Sequence, residues 1–472
     1  MTAEIVPASE TRIVKFQEHK SLKLPQYFAG IVATINAMSS GCVCGWTSPA
    51  LLYLQGHPSG GNGSDDGTLS VQQACLAGSL APIGALVGSL PAVALADFLG
   101  RRTASQVLSL PLLLGWVILA MCGRQLTPLY IARLLHGMCV GVSSVVTPLY
   151  NEEIAEVSAR GSLGSLYDCA MGLGVLWVNL AGTVMPYAWM NLSAALPAVL
   201  SFAMLFLVPE SPVHLLARGQ DQQARAALSW LRGPHHDVES ELASTSKLAH
   251  RGQGVSAWTL LRSVKDINCD SLRSPSAKSL LIVSALMTAR QLSGMYAITF
   301  YAVEVFQEAG SSLDESTSAT VTALFDLGVT VAMVFSAELT GRRTLLTLSC
   351  WGCAFFLTLL AVGPSGWLPL AAVIGYNTAF SVGLGPVPWF MMGELVPTEA
   401  KSWVIGVVVT LNWLLMFFVT QFFMSTVAAI GHMPTYLCYA AVNALAGTCV
   451  LLFLPETRGK SLDKIQLELG GN

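Results

Sequence analysis

Arg290-Gln291-Leu292-Ser293-Gly294-Met295-Tyr296-Ala297-Ile298-Thr299-Phe300-Tyr301 lies inside an apolar run from Leu280 to Phe306. An arginine in such a run sits at bilayer depth. A charge there costs roughly 3 kcal/mol on insertion scales, so it faces a cavity or a partner. Ser293 and Gly294 weaken the helix just beyond it. A softened helix carrying polar groups at mid-membrane is a common way to build a solute site in a bundle of spans. The remainder of the chain then reads as the scaffold that places this segment.

Composition agrees. Of 472 residues, 53% are hydrophobic and 11% charged, with a mean hydropathy of +0.58. Soluble domains carry about 25% charged residues. These values mark a polytopic membrane protein, and a net charge of −3 carries no nucleic-acid signature. The first 26 residues hold Lys15, Lys20 and Lys23 without an apolar core, so no cleavable signal peptide is expected there. The 11 cysteines lie mostly in apolar runs, and the pairs Cys42/Cys44 and Cys350/Cys353 read as small packing residues rather than metal or redox sites.

Apolar runs of about 20 residues can span a bilayer. Twelve are predicted: 27–48, 73–96, 104–123, 128–149, 162–183, 187–208, 279–305, 318–338, 344–363, 367–391, 403–426 and 434–454. The expected divisions are a tail 1–26, a six-span half 27–208, a polar loop 209–278, a second half 279–454 and a tail 455–472. Within the loop, Gln222–Leu231 reads as a short amphipathic helix. With both termini cytoplasmic, 22 of the 25 lysines and arginines fall on the cytoplasmic side, which fixes the expected orientation. Asn62-Gly63-Ser64 is then an external glycosylation sequence.

The halves repeat. Asp97-Phe98-Leu99-Gly100-Arg101-Arg102 recurs 241 residues later as Glu338-Leu339-Thr340-Gly341-Arg342-Arg343. Glu153 and Arg160 recur at the same shift of 241 as Glu394 and Lys401, and Pro209-Glu210 recurs at 246 as Pro455-Glu456. A parallel repeat of two six-helix units implies a cavity between them and alternating access by rocking. The recurring acids and bases at span ends form a candidate charge network, expected to latch the outward-open state by attraction in a partly desolvated layer and to part when the cytoplasmic side opens.

These motifs carry a resemblance. Gly100-Arg101-Arg102, Pro148 to Glu153, Arg160-Gly161, Pro209-Glu210-Ser211-Pro212, Gln291-Leu292-Ser293-Gly294, Gly383-Leu384-Gly385-Pro386-Val387-Pro388-Trp389, Asn412-Trp413 and Pro455 to Leu462 occur in order and at span ends. Together they resemble the sugar porter branch of the major facilitator superfamily, particularly the insect facilitated trehalose transporter-like proteins. The resemblance implies an all-α, twelve-span fold in two pseudo-symmetric halves. It also implies passive uniport of a hexose or a disaccharide such as trehalose. The expected protein is a multi-pass cell-membrane monomer that needs no cofactor or metal, does not bind nucleic acid and is not an enzyme. Proton coupling, a charged solute and a non-transporting nutrient receptor are the alternatives.

Gln291, Trp389 and Asn412 match positions that bind sugar in the family. Their chemistry suits it, because amides pair with hydroxyls and the indole face packs on a sugar's apolar face. Four further positions depart from the family pattern. Asp168 and Arg290 replace glutamines, and Tyr296 and Asp326 stand where asparagine is usual. Ser381 stands where an acid is common, and Thr47 stands where proton-coupled relatives carry an acid. An unpaired buried charge is expensive. Asp168 and Arg290 are therefore expected to form an ion pair across the cavity, with Asp326 sharing the guanidinium. Phe300 and Tyr301 are candidates for an outer gate, and the Gly383–Pro388 stretch should bend the tenth span.

Overall fold

The computed structural model describes residues 22–55, 68–156, 159–233, 238–239, 241–242, 275–311, 313–336, 340–363, 365–396 and 401–458. Twelve helices among them are long and apolar enough to cross a membrane. They are Lys23–Gly45, Val71–Leu99, Arg101–Cys122, Leu126–Ile154, Gly161–Val184 and Tyr187–Leu207 in the first half. The second half holds Lys278–Phe300, Glu315–Met333, Arg342–Val362, Trp367–Leu395, Val404–Ile430 and His432–Phe453. All twelve predicted runs correspond to one of these, with ends shifted by a few residues. The loop helix runs Asp221–Arg232, with Ala224, Ala227, Leu228 and Leu231 buried on one face. Asn62 and Glu338 lie outside the described residues.

Close backbone approach sets the packing of the first half. The second and fourth spans meet through Gly84 and Gly88 on one and Gly137 and Gly141 on the other. A Cβ on Gly141 would lie 2.8 Å from backbone atoms of Ala85, and one on Gly88 would lie 2.8 Å from those of Met138. Small residues four apart let two helices reach dispersion contact where lipid gives no hydrophobic drive. Gly41 and Gly174 bring the first and fifth spans together in the same way.

The fourth span buries two potentially charged side chains, Arg133 and His136. Arg133 is fully buried and donates to Ala77 O at 3.0 Å, Val43 O at 3.1 Å, Gly78 O at 3.4 Å and Thr47 Oγ1 at 3.5 Å. Its guanidinium lies 4.5 Å from the Trp46 ring. His136 packs on Trp116 with ring centroids 4.3 Å apart. A charge at this depth is tolerable because backbone carbonyls and a ring face replace water.

The halves meet along the second and eleventh spans and along the fifth and eighth. Ser79 donates to Gln421 across the first of these contacts. On the face away from the chain ends, the helix Thr47–Leu54 packs on Met295–Phe300 and Ala302–Ala309. Phe300 and Tyr301 are fully buried there; Tyr301 stacks on Phe423 at 5.3 Å and donates to Thr420 O at 2.8 Å. The structure is thus closed on that face. The described cysteines are unpaired, and the Cys42/Cys44 and Cys350/Cys353 thiols are buried between helices.

Candidate functional site

The seventh span breaks where its sequence is weakest. Its first helix ends at Leu292, Gly294 adopts φ +95°, and a new helix starts at Met295. That backbone conformation favours glycine. A Cβ would also press on the Tyr439 ring at 3.0–3.3 Å. The break frees the carbonyl of Ser293, which side chains satisfy twice: Tyr376 Oη donates to it at 3.1 Å and Asn443 Nδ2 at 3.0 Å. Ser293 Oγ returns a bond to Arg290 O at 2.7 Å. Unwound backbone inside a membrane requires such replacement partners. The tenth span breaks as well, with helix Trp367–Val382 ending before Gly383 and helix Val387–Leu395 starting after Pro386.

The two breaks converge with the eleventh span on a polar cluster. Gln291 is fully buried and donates through Nε2 to Asn412 Oδ1 at 2.5 Å. Its own carbonyl oxygen has no partner. Arg290, only 8% exposed, donates to Tyr296 Oη at 3.1 Å, Gly385 O at 3.2 Å and Asn412 Oδ1 at 3.4 Å. Its guanidinium carbon lies 5.5 Å from the Tyr296 ring and 5.7 Å from each of Phe380 and Trp389. Each such contact is worth about 0.5–2 kcal/mol. Five predicted residues (Arg290, Gln291, Tyr296, Trp389 and Asn412) thus gather in one place within the second half.

The predicted ion pair is not made. Among the described residues, no carboxylate lies within ion-pairing distance of Arg290. Asp326 instead accepts a 2.5 Å hydrogen bond from Ser381 Oγ. Asp168, on the fifth span, is exposed and feels the Arg290 charge without touching it. The physical reason is local: the tenth-span break supplies a free carbonyl, and three rings supply their faces, so neutral groups hold the guanidinium. Phe380, Gly385, Tyr376 and Asn443 were not anticipated. Phe380 and Trp389 flank the Gly383–Pro386 interruption, and that spacing was the available signal that both would turn toward one point.

The charge network closes within each half rather than between them. Arg101 meets Glu153 at 3.0 Å and Asp97 at 3.0 Å, and also bonds His214 Nδ1 at 2.8 Å. Ser211 Oγ donates to the same Glu153. Glu210 does not pair with the Arg102 side chain. It accepts from the backbone N–H groups of Arg102 at 2.9 Å and Thr103 at 3.3 Å, capping the third span. The second half repeats the set. Arg342 meets Glu394 at 3.3 Å, Thr457 Oγ1 donates to Glu394 at 2.6 Å, and Glu456 caps the ninth span through Arg342 N at 2.9 Å and Arg343 N at 3.2 Å. Among the described residues, each of these pairs is made within its own half. The side chains of Arg160 and Lys401 lie outside the described ones.

Residues 31–469 match the sequence family described as Sugar (and other) transporter. The chain is 30% identical over 459 residues to the facilitated trehalose transporter Tret1 of Culex quinquefasciatus, covering 94% of this chain and 86% of that one. It is 30% identical over 486 residues to Tret1 of Apis mellifera ligustica, covering 99% and 94%. The match to Tret1 of Aedes aegypti, 31% identical over 94% of this chain, spans 55% of that longer relative. Among solved structures, the chain superposes on the proton:xylose symporter XylE bound to 6-bromo-6-deoxy-D-glucose with a TM-score of 0.73 at 22% identity, covering 94% and 99%. The inward-open xylose transporter XylE from E. coli gives 0.74 at 20% identity, covering 94% and 98%.

Proposed function

The chain belongs to the family of sugar (and other) transporters, and from that premise we propose that it carries a small neutral sugar, hexose or disaccharide, across a membrane by alternating access. The observation that carries this reading is the amide pair Gln291–Asn412. Gln291 offers a buried, unpartnered carbonyl oxygen, and Trp389 stands beside the pair across Arg290. An amide acceptor beside an aromatic face is what a sugar hydroxyl and the sugar's apolar face require.

The surroundings of Arg133 support passive uniport. Its four acceptors are neutral, and Thr47 is among them. Among the described residues, no carboxylate bonds this guanidinium to exchange a proton during the cycle. In this reading the protein sits in the cell membrane as a monomer with both termini cytoplasmic, carries a glycan on Asn62 and catalyses no chemical reaction. The two charge clusters keep each half rigid while the halves rock.

Uptake of labelled glucose and trehalose into cells expressing the chain tests the proposal, with counterflow in vesicles as the control for passive exchange. Saturable uptake of either sugar, unchanged by a proton gradient, is the expected result. Saturable uptake that collapses with the gradient removes the uniport reading, and absence of counterflow for both sugars removes the sugar reading.

A further inference from the structure

Arg290 is placed where a substrate would be. Its planar guanidinium is held at 5.5–5.7 Å by three rings, Tyr296, Phe380 and Trp389, drawn from both sides of two helix breaks. Each of its three nitrogens donates one bond, to Gly385 O, Asn412 Oδ1 and Tyr296 Oη, the carbonyl, amide and hydroxyl oxygens that would otherwise accept from sugar hydroxyls. Asn412 Oδ1 is also the acceptor of Gln291, so the guanidinium takes up part of the hydrogen-bonding capacity of the amide pair. A flat group that stacks on aromatic faces and donates at its rim fills the same physical requirement as a pyranose ring.

We infer that Arg290 is a tethered occupant of the sugar-stacking box, a specificity-determining residue that a bound sugar displaces toward Asp168. This rests on the sugar reading above. Two features favour it over a site for an anionic solute. The carboxylate that feels the guanidinium is Asp168 on the fifth span, so an anion would meet opposing charge there. Arg290 also has somewhere to go: Asp168 is exposed on the facing half, and among the described residues it accepts no hydrogen bond. A binding-competent state populated only in part raises the apparent dissociation constant by the reciprocal of that fraction. If the guanidinium fills the box in about 90% of sugar-free molecules, its removal lowers the apparent KM about tenfold.

The experiment compares the full-length chain with R290Q, R290A and D168N. Uptake of glucose and trehalose is measured for each, and calorimetric binding of methylguanidinium to purified R290A and to the parent. The expected results are a lower KM in R290Q and R290A, and a higher KM in D168N that vanishes in the R290Q/D168N double variant. R290A should bind methylguanidinium and the parent should not. A KM unchanged or raised in both Arg290 variants overturns the occupant. A D168N effect that persists undiminished in the double variant overturns the role of Asp168. Binding of methylguanidinium reports on the box without any sugar. Its absence in folded R290A sinks the proposal, whereas its presence with no sugar uptake by any variant sinks the sugar reading and leaves the box a cation site. R290Q, which keeps hydrogen-bonding capacity, serves if R290A melts before it can be assayed.

Discussion

Ser211 and Thr457 occupy equivalent places in the two halves, each hydroxyl donating to the glutamate, Glu153 or Glu394, that also holds the neighbouring arginine. The glutamate that precedes each of them, Glu210 or Glu456, caps the adjacent span through backbone N–H groups. The duplicated charges therefore act within six-helix units. Removing a cap leaves first-turn N–H groups without an acceptor, at a cost of about 1–2 kcal/mol. Glu210→Ala and Glu456→Ala should lower the melting temperature in detergent by similar amounts. Loss of transport with an unchanged melting temperature would instead favour a latch between halves.

Gln291→Leu should raise the apparent KM for the transported sugar about tenfold to hundredfold, because it removes the free acceptor and one of the two donors to Asn412. Expression and melting temperature should stay near the parent's, since the replacement is apolar and of similar volume. Uptake kinetics over a range of sugar concentrations decide this, and an unchanged KM would place Gln291 outside the sugar site.

Arg133→Lys should destabilise the first half by about 2–4 kcal/mol although charge is conserved. A lysine cannot reach carbonyls on the first and second spans at once while stacking on Trp46. Thermal melts of the purified variant check this, and a melting temperature within experimental error of the parent's would refute it.

Gly294→Ala should cost about 1–2 kcal/mol through its positive φ alone, and more through contact with Tyr439. The double variant with Tyr439→Ala should relieve only the contact part. Comparing the melts of the single and double variants separates the two contributions.

His214 gives a pH dependence of known sign. Burial, and then the nearby Arg101, push its pKa below the usual histidine range; Glu210 and Asp97 act the other way and Arg218 with Arg101. The unfolded chain takes up a proton near pH 6.5 that the folded chain refuses. Stability is therefore full above about pH 6.5 and falls as the pH drops below it. The difference in melting temperature between the parent and His214→Asn, followed from pH 8 to pH 5, should shrink or reverse toward acid. A constant difference would show that His214 does not titrate differently on folding.

The twelve spans and the two-fold repeat were legible because run length and charge placement are local properties. The convergence of Arg290, Gln291, Tyr296, Trp389 and Asn412 was legible through motifs. The partner of Arg290 was not. Charge complementarity pointed to Asp168, whereas the structure supplies Gly385 O and three ring faces, groups that exist only because two helices break side by side. The backbone partners of Glu210 and Glu456 were hidden for a related reason. Sequence displays side-chain charges, and the groups these acids bind are backbone amides at a helix start.

The doubly bonded carbonyl of Ser293 bears on how the seventh span can move. Gly294 has the backbone freedom of a hinge, yet the residue before it is pinned by Tyr376 from the tenth span and Asn443 from the twelfth. That joint is welded to two neighbours. Tyr301 lies one short helix further on, with φ −115° and ψ 27° between Met295–Phe300 and Ala302–Ala309. Outside the seventh-span segment it is held by the carbonyl of Thr420 and by stacking on Phe423. The glycine therefore works as a fixed elbow that carries the site as one piece.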